Sequence, residues 1–433
     1  MTEQMNVPKL RFGEFQGGWS KISIDGLNID VIDGDRGTHY PTKEELLPEG
    51  SCLFLSAKNV TKSGFQFSEK QFITEEKDKL LRKGKLKRGD IVLTTRGSVG
   101  HKALYAETVE YDSLRINSGM VLLRHPWEEL SNDFVYKSMF TRHFTKQIDV
   151  VAFGSAQPAL TVKEIKKLKL SIPPSFQEQQ KIASFLSKVD EKIALLTEKK
   201  AKLTEYKKGV MQQLFDGKWQ EQDGKLVFVP PTLRFKADDG SEFPDWEEKK
   251  LSVLTTKISD GIHSTPTYDD EGDYFFVNGN NLKEGNIVID QNTKRVSDSE
   301  ALKHHRPLSE HSILMSINGT IGNMATYAEQ PIMLGKSACY INVNPRLANK
   351  MFIYAYLQLS ATQFYFTKEL TGSTIKNLSL KAVKETVVKT PCLGEQKKIA
   401  NFLSAIDQKI YLANSELEKA NEWKKGLLQQ MFV

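Results

Sequence analysis

Cysteine is scarce in this chain. Cys52, Cys339 and Cys392 are its three cysteines in 433 residues. They lie too far apart to form a paired ligand spacing, so the sequence reads as one with reduced structural thiols, not a disulfide scaffold or a metal cluster. Long apolar runs are also lacking. None approaches the ~18 residues that cross a bilayer, and the opening MTEQMNVPKLRF has no apolar signal core; a cytoplasmic protein is the expectation. No glycine-rich cofactor loop follows a strand, and no phosphate-binding loop of the Walker pattern occurs. Acidic excess is absent as well: 60 Lys and Arg stand against 54 Asp and Glu, a net charge of +6. That balance suits a polyanionic partner without requiring one. What remains is a globular composition, 39% hydrophobic and 26% charged, in a chain long enough for two or more cores.

The chain is written twice. EQQKIASFLSKVDEKI begins at residue 178 and EQKKIANFLSAIDQKI begins 217 residues later, at 395. The stretches 178–215 and 395–432 align without a gap and are identical at 20 of 38 positions. Fainter echoes lie upstream: PKLRF at 8 and PTLRF at 231, each followed by a tryptophan (Trp19, Trp246), and DIVLTTRGSVGHKALYAE at 90 against SILMSINGTIGNMATYAE at 312. A repeat at this spacing gives the order variable domain, helix, variable domain, helix.

The helical reading rests on period. Ile182, Val189, Leu196, Leu203 and Val210 recur every seven residues, as do Ile399, Ile406, Ala413, Ala420 and Leu427. So narrow a stripe needs a partner helix, and large residues in one copy against alanines in the other predict that the copies pack on each other. Ser175 with Glu178 reads as a capping box and Asp216-Gly217 as a stop. The variable parts read as mixed α/β. Apolar runs such as CLFLS, DIVLTT and GMVLLR, with YFFV, SILMSI and CYINV, predict strands. One helix over DFVYKSMFTRHFTKQI and one over NKMFIYAYLQLSATQFYF are expected, then a short capped helix at Thr161 and another at Ser379. Residues 216–246 read as a connection rich in Gly, Pro and polar residues.

The two EQ(Q/K)KIA.FLS..D.KI helices, together with DGDRGTHYP at 33–41, DGIHSTPTY at 260–268 and GDIVLTTRGSVG at 89–100, resemble the specificity subunit of type I restriction-modification enzymes over nearly the whole chain. The resemblance implies an α/β protein with two target-recognition domains, 1–174 and 218–393. Long helices, 175–217 and 394–433, would pair antiparallel, hold the domains apart and dock partner subunits. It implies a pseudo-two-fold chain that reads a bipartite double-stranded DNA target. Two methylation subunits would carry S-adenosylmethionine and modify adenine, and two restriction subunits would use ATP and Mg. The specificity chain itself would be non-catalytic and would need no cofactor.

Candidates for reading base edges are side chains on exposed loops that pair donors with acceptors. The first half offers Arg36, Thr38, His39, Tyr40, Lys58, Asn59, Arg96 and Ser98. The second offers His263, Ser264, Thr265, Tyr268, Asn278, Asn280, Asn281, Asn318 and Thr320. FGSAQPAL and TGSTIKNL add Ser155, Gln157, Ser373, Thr374, Lys376 and Asn377. The run KLLRKGKLKRGD at 79–90, with Arg82, Lys83 and Lys85, could neutralise phosphates. Each of these also reads as a structural or solvated residue, and Asn-Gly pairs form turns first; recurrence at matching places is what lifts the group. Two other classes stay open: a protein-only coiled-coil scaffold, and a divergent metal-dependent nuclease using Asp245, Glu248 and Lys250. In the latter set the acids and lysine are crowded where two separate strands are normally needed.

Overall fold

A computed structural model describes residues 6–125, 129–152, 158–372 and 376–433. The chain divides into two compact units, Met1–Thr197 with Ser415–Val433, and Glu198–Asn414.

In the first unit a four-stranded sheet is built from β1 (Asp30–Asp33), β2 (Ile91–Thr94), β3 (Lys102–Leu104) and β4 (Met120–Arg124), in the order β1-β4-β2-β3. Besides a short helix at Glu75–Leu80, the unit contains α1 (Asn132–Ser138), α2 (Arg142–Ala152), α3 (Val162–Lys167) and the first part of α4 (Phe176–Phe215). β2 and β4 read as unbroken apolar runs because both of their faces are covered. Alternation sends Ile91, Leu93, Val121 and Leu123 into one core and Val92, Met120 and Leu122 into another, the period of two expected of a strand. A second sheet pairs Cys52–Leu55 antiparallel with Phe72–Ile73 and parallel with Leu114–Ile116.

The second unit repeats this plan with β5 (Thr255–Asp260), β6 (Ser312–Ser316), β7 (Met324–Thr326) and β8 (Ala338–Val343), in the order β5-β8-β6-β7. Besides a short helix at Asp298–Lys303, it contains α5 (Lys350–Leu357), α6 (Ser360–Lys368), α7 (Leu380–Glu385) and part of α8 (Leu393–Gln430).

The heptad pattern of α4 and α8 is spent inside both units. In the first, Ile182, Leu186 and Val189 share a core with Leu427, Met431 and Phe432. In the second, Val210, Leu214 and Phe215 share one with Ile399, Leu403 and Ile406. Leu196, Ala413 and Ala420 are buried too, whereas Leu203 stays partly exposed, so the seam is looser there than its period implied. The helices run antiparallel in the second unit, where Lys200 meets Asn414 and Lys207 meets Asp407, each at 2.6 Å. Asp190 and Lys424 form a 2.6 Å pair in the first. By the 217-residue repeat this is the Lys207–Asp407 pair with its partners exchanged.

The repeated Glu-Gln at each helix start also acquires a physical reason. Glu178 is fully buried and takes Arg11 of PKLRF through two 2.7 Å bonds. Glu395, also buried, takes Arg234 of PTLRF at 3.0 and 3.2 Å and the Trp246 indole N–H at 3.2 Å. Gln179 accepts the Ser131 N–H and Gln396 the Asn349 N–H, tying the helix starts to the N-caps of α1 and α5. Arg11–Glu178 and Arg234–Glu395 are paired charges on a buried carboxylate, so removing one partner costs far more than the pair contributes.

Three local expectations need correction. Ser175 does accept the Glu178 N–H at 3.3 Å, but Glu178 turns to Arg11 and not back to the cap, so only half of the box forms. Each of the helices expected before the coil is two helices. Between α1 and α2, Ser138 bonds back to Val135 O and Thr141 Oγ1 accepts the Phe144 N–H. Between α5 and α6, Thr362 and Gln363 cap the Tyr356 and Leu357 carbonyls. Side chains of this kind compete with the helix ladder and end it. Finally, the connection contains a hairpin, Lys218–Gln222 with Lys225–Val229, turning on Asp223 (φ 51°) and Gly224 (φ 73°), the Asp-Gly signature of a two-residue turn.

Lys102 of β3 lies buried with its ammonium on the Met139 carbonyl at 2.7 Å and near the Phe140 ring. Burial pushes its pKa down from 10.5 to about 8. Between those values the unfolded chain holds a proton that the folded one does not, so this group's contribution favours folding more as pH rises through that window. Lys102→Met, which copies the equivalent Met324, should abolish this component, up to about 3 kcal/mol. Urea unfolding of the variant and the parent at pH 7 and pH 10 checks it: the parent should gain stability relative to the variant as pH rises.

Candidate nucleic-acid interface

Four loops meet at one end of the first unit's four-stranded sheet. The 34–40 loop leaves β1, and its Gly34 sits so close to Asn117 that a Cβ would lie 2.2 Å from the carbonyl oxygen. The Asp35 carboxylate accepts the Gly37 N–H at 2.8 Å and the Arg82 N–H at 2.7 Å, joining this loop to residues 82–84. Those backbone donors, Gly37 foremost, hold its pKa below the ordinary carboxylate value. Arg36 reaches Asp33 at 3.1 Å and the Ser118 carbonyl at 3.3 Å, and Ser118 N–H reaches the Tyr40 hydroxyl at 3.4 Å. Thr95 N–H donates to Gly119 O at 2.8 Å, which brings in the turn carrying Arg96 and Ser98. Thr38, His39, Arg82, Lys83, Arg96 and Ser98 are exposed around this cluster.

Other candidates are spent inside the fold. Asn59 is buried; it accepts from Ser56 N–H and donates to Gln66 O and Glu69 O. Asn281 makes the same turn in the second unit, from Asn278 N–H to Val288 O. Lys58 pairs with Glu69 on the surface. Lys85 goes to Asp78, a carboxylate also taken by Arg115, and Arg88 is wrapped over Tyr105 and bound to Ala106 O. The basic run therefore leaves Arg82, Lys83 and Lys87 without a side-chain partner among the described residues.

The second unit builds the same frame from different groups. Gly261 packs on Leu334 and Gly335, and Asp260 pairs with His263 at 2.9 Å where the first unit has Asp33 with Arg36. Arg306 donates to the Asp260 carbonyl at 3.0 Å. Ser337 donates to Asn278 Oδ1, and Thr320 to Gly279 O. Asn318 bridges Asn377 through the backbone, as Arg96 bridges Ala159. Ser264, Thr265, Tyr268, Asn280 and Lys376 are exposed, Tyr268 with its ring edge-on to Phe276. Ser155, Gln157, Ser373 and Thr374 lie outside the described residues. Sequence reasoning did not single out Asp35, Ser118 or Lys336, which the structure places in these loop frames. The signal was available for two of them: Ser118 and the exposed Lys336 occupy equivalent points immediately ahead of β4 and β8.

The model of the type I restriction modification DNA specificity domain matches this chain twice, over residues 26–205 and 244–422. Each match contains one loop cluster and much of one long helix. The chain belongs to the type I restriction-modification DNA specificity family. The type I restriction enzyme MjaVIII specificity subunit of Methanocaldococcus jannaschii is 24% identical over 436 residues, covering 96% of this chain and 92% of the relative. The type I restriction-modification S subunit of M. genitalium superposes with a TM-score of 0.59 at 20% identity, covering 99% of both chains. A chain from a structure concerned with complex assembly and conformational transition of the type I R-M system gives 0.54 at 16% identity, covering 97% and 98%. This specificity-family fold therefore has the repeated architecture that the sequence motifs implied. Among the described residues, no helix is long and apolar enough to cross a membrane, and no three of His, Cys, Asp and Glu gather as a metal site. Of the nuclease-like set, Lys250 is paired with Glu385.

Proposed function

We propose that this chain is the DNA-reading subunit of a type I restriction-modification complex, each unit reading one half of a split target. The observation that carries the reading is one loop frame built twice with different side chains, inside the two ranges that match the DNA specificity domain. Arg82, Lys83, Lys336 and Lys376 suit phosphates, which position the protein; Arg36, Arg96, His263 and Asn318 suit base edges, which specify sequence. In this reading residues 1–174 and 218–393 are the recognition domains. The helices 175–217 and 394–433 set the spacing and dock two methylation subunits, which bind S-adenosylmethionine and modify adenine N6. Two restriction subunits supply ATP- and Mg-dependent cleavage. The chain itself contributes recognition and no catalytic group, and it works in the cytoplasm.

A gel shift on genomic fragments, with the methylation subunit present, tests this. A sequence-selective complex is expected; none, or equal binding to every fragment, contradicts it. The affinity should fall steeply with salt. Lys83→Gln should weaken binding equally on all sequences and reduce the slope of log K against log salt by about 1. An unchanged slope would remove Lys83 from the phosphate contacts.

A further inference from the structure

Positions 96 and 318 are one place built twice. Each opens the turn after a core strand, TRGSVG after β2 and INGTIG after β6. Thr94 and Ser316, at matching points of those strands, turn their hydroxyls onto turn carbonyls, Ser98 O and Asn318 O. The glycines repeat their geometry, φ 69° and 85° at Gly97 and Gly100 against 71° and 84° at Gly319 and Gly322. A side chain at those angles would be strained, so glycine holds the shape. Neighbouring bonds repeat too: Thr95 N–H to Gly119 O at 2.8 Å, Ile317 N–H to Ser337 O at 2.9 Å. The tips face open space, since a Cβ on Gly97 or Gly319 would meet nothing within 4 Å.

Thr95, Ser98 and Val99 give way to Ile317, Thr320 and Ile321, but the change in polar chemistry is concentrated at the second position of the turn, Arg96 against Asn318. Arg96 is exposed and Asn318 half-buried, and neither side chain has a partner among the described residues. A position that served to neutralise phosphate would keep a cation in both units; Asn318 carries none. The guanidinium offers donors only, and guanine presents two acceptors, O6 and N7, in the major groove. The amide offers one donor and one acceptor, and adenine presents the complement, N7 and N6–H. We propose that this turn position determines specificity in both units: Arg96 reads a guanine in one half-site and Asn318 an adenine in the other. The assignment rests on the reading of the chain as a bipartite DNA reader.

The test is to assemble the full chain with its methylation subunit, modify random-sequence DNA and sequence the modified sites. Arg96→Asn should turn one guanine of one half-site into adenine, with the other half-site unchanged. Asn318→Arg should turn one adenine of the other half-site into guanine. The preference at the altered base should change by roughly 5- to 150-fold. Arg96→Ala and Asn318→Ala, with melting temperatures held, should leave that single base degenerate. Overturning results are an Arg96→Asn or Arg96→Ala protein that is folded yet keeps the parent motif, or one that loses affinity equally on all sequences, as a phosphate contact would. A parent complex that modifies no split target would defeat the proposed function. A parent split target with no guanine in one half would defeat only this assignment.

Discussion

Ending the chain after Gly426 should unfold the first unit, whose loop cluster lies more than 300 residues away in sequence, and leave the second standing. The reason is the seam. Leu427, Met431 and Phe432 are all buried in the first unit's core. Phe432 sits edge-on to Trp19 and stacks on Phe134, with ring centres 5.9 and 5.5 Å away. Two backbone ties would go as well, Leu10 N–H to Gln430 O and Ser171 Oγ to Val433 O, each 2.9 Å. Emptying a buried large side chain costs about 2–5 kcal/mol. Three of them approach the whole stability of an ordinary domain, about 5–15 kcal/mol. The second unit draws its equivalent ring, Phe215, from α4, against Trp246 and Phe352, so it loses none of these contacts. Limited proteolysis followed by mass mapping reads the outcome: cuts should concentrate in residues 6–174 while 218–393 stay protected. Equal protection of both, with an unchanged melting curve, would show that these residues do not complete the first unit.

Much of this packing was legible in sequence, for an identifiable reason. The seven-residue period of Ile182, Val189 and Leu196 is a property of one helix face and survives any tertiary context. The buried strands were legible because β2, β4, β6 and β8 are apolar on both faces. The breaks within the helices expected at 133–148 and 349–366 were not, because Thr and Gln also occur inside continuous helices, and only the structure shows Thr141 and Gln363 bonding the broken ends, to the Phe144 N–H and the Leu357 carbonyl. The hairpin was overlooked although Asp223-Gly224 announced it. The loops proposed to meet DNA stand out in the sequence by their repetition, but which of their side chains remain free was beyond sequence. Lys85 and Lys83 look alike in KGKLK; only the folded chain puts Asp78 beside one of them. Asn59 and Arg96 were equal candidates until one proved to be buried as a turn former.

The second large effect is a change of target. Exchanging residues 1–174 for those of another family member should replace one half of the modified sequence entirely and leave the other half as it was. The two loop clusters belong to separate compact units, share no side chain, and so contribute base contacts that add nearly independently. The exchange must preserve the groups that grip α4 and α8, since a swapped domain without equivalents of Arg11, Trp19 and Ser131 would leave Glu178, Phe432 and Gln179 unmatched. Each mismatched base pair costs about 1–3 kcal/mol. A half-site of several bases is therefore discriminated by orders of magnitude, and the change is unmistakable. The direct measurement is to sequence the modified sites in DNA treated with the proposed methylation subunit together with either the parent chain or the exchanged chain. The account predicts two motifs that agree in one half and differ in the other; two motifs that differ in both halves, or in neither, would contradict it.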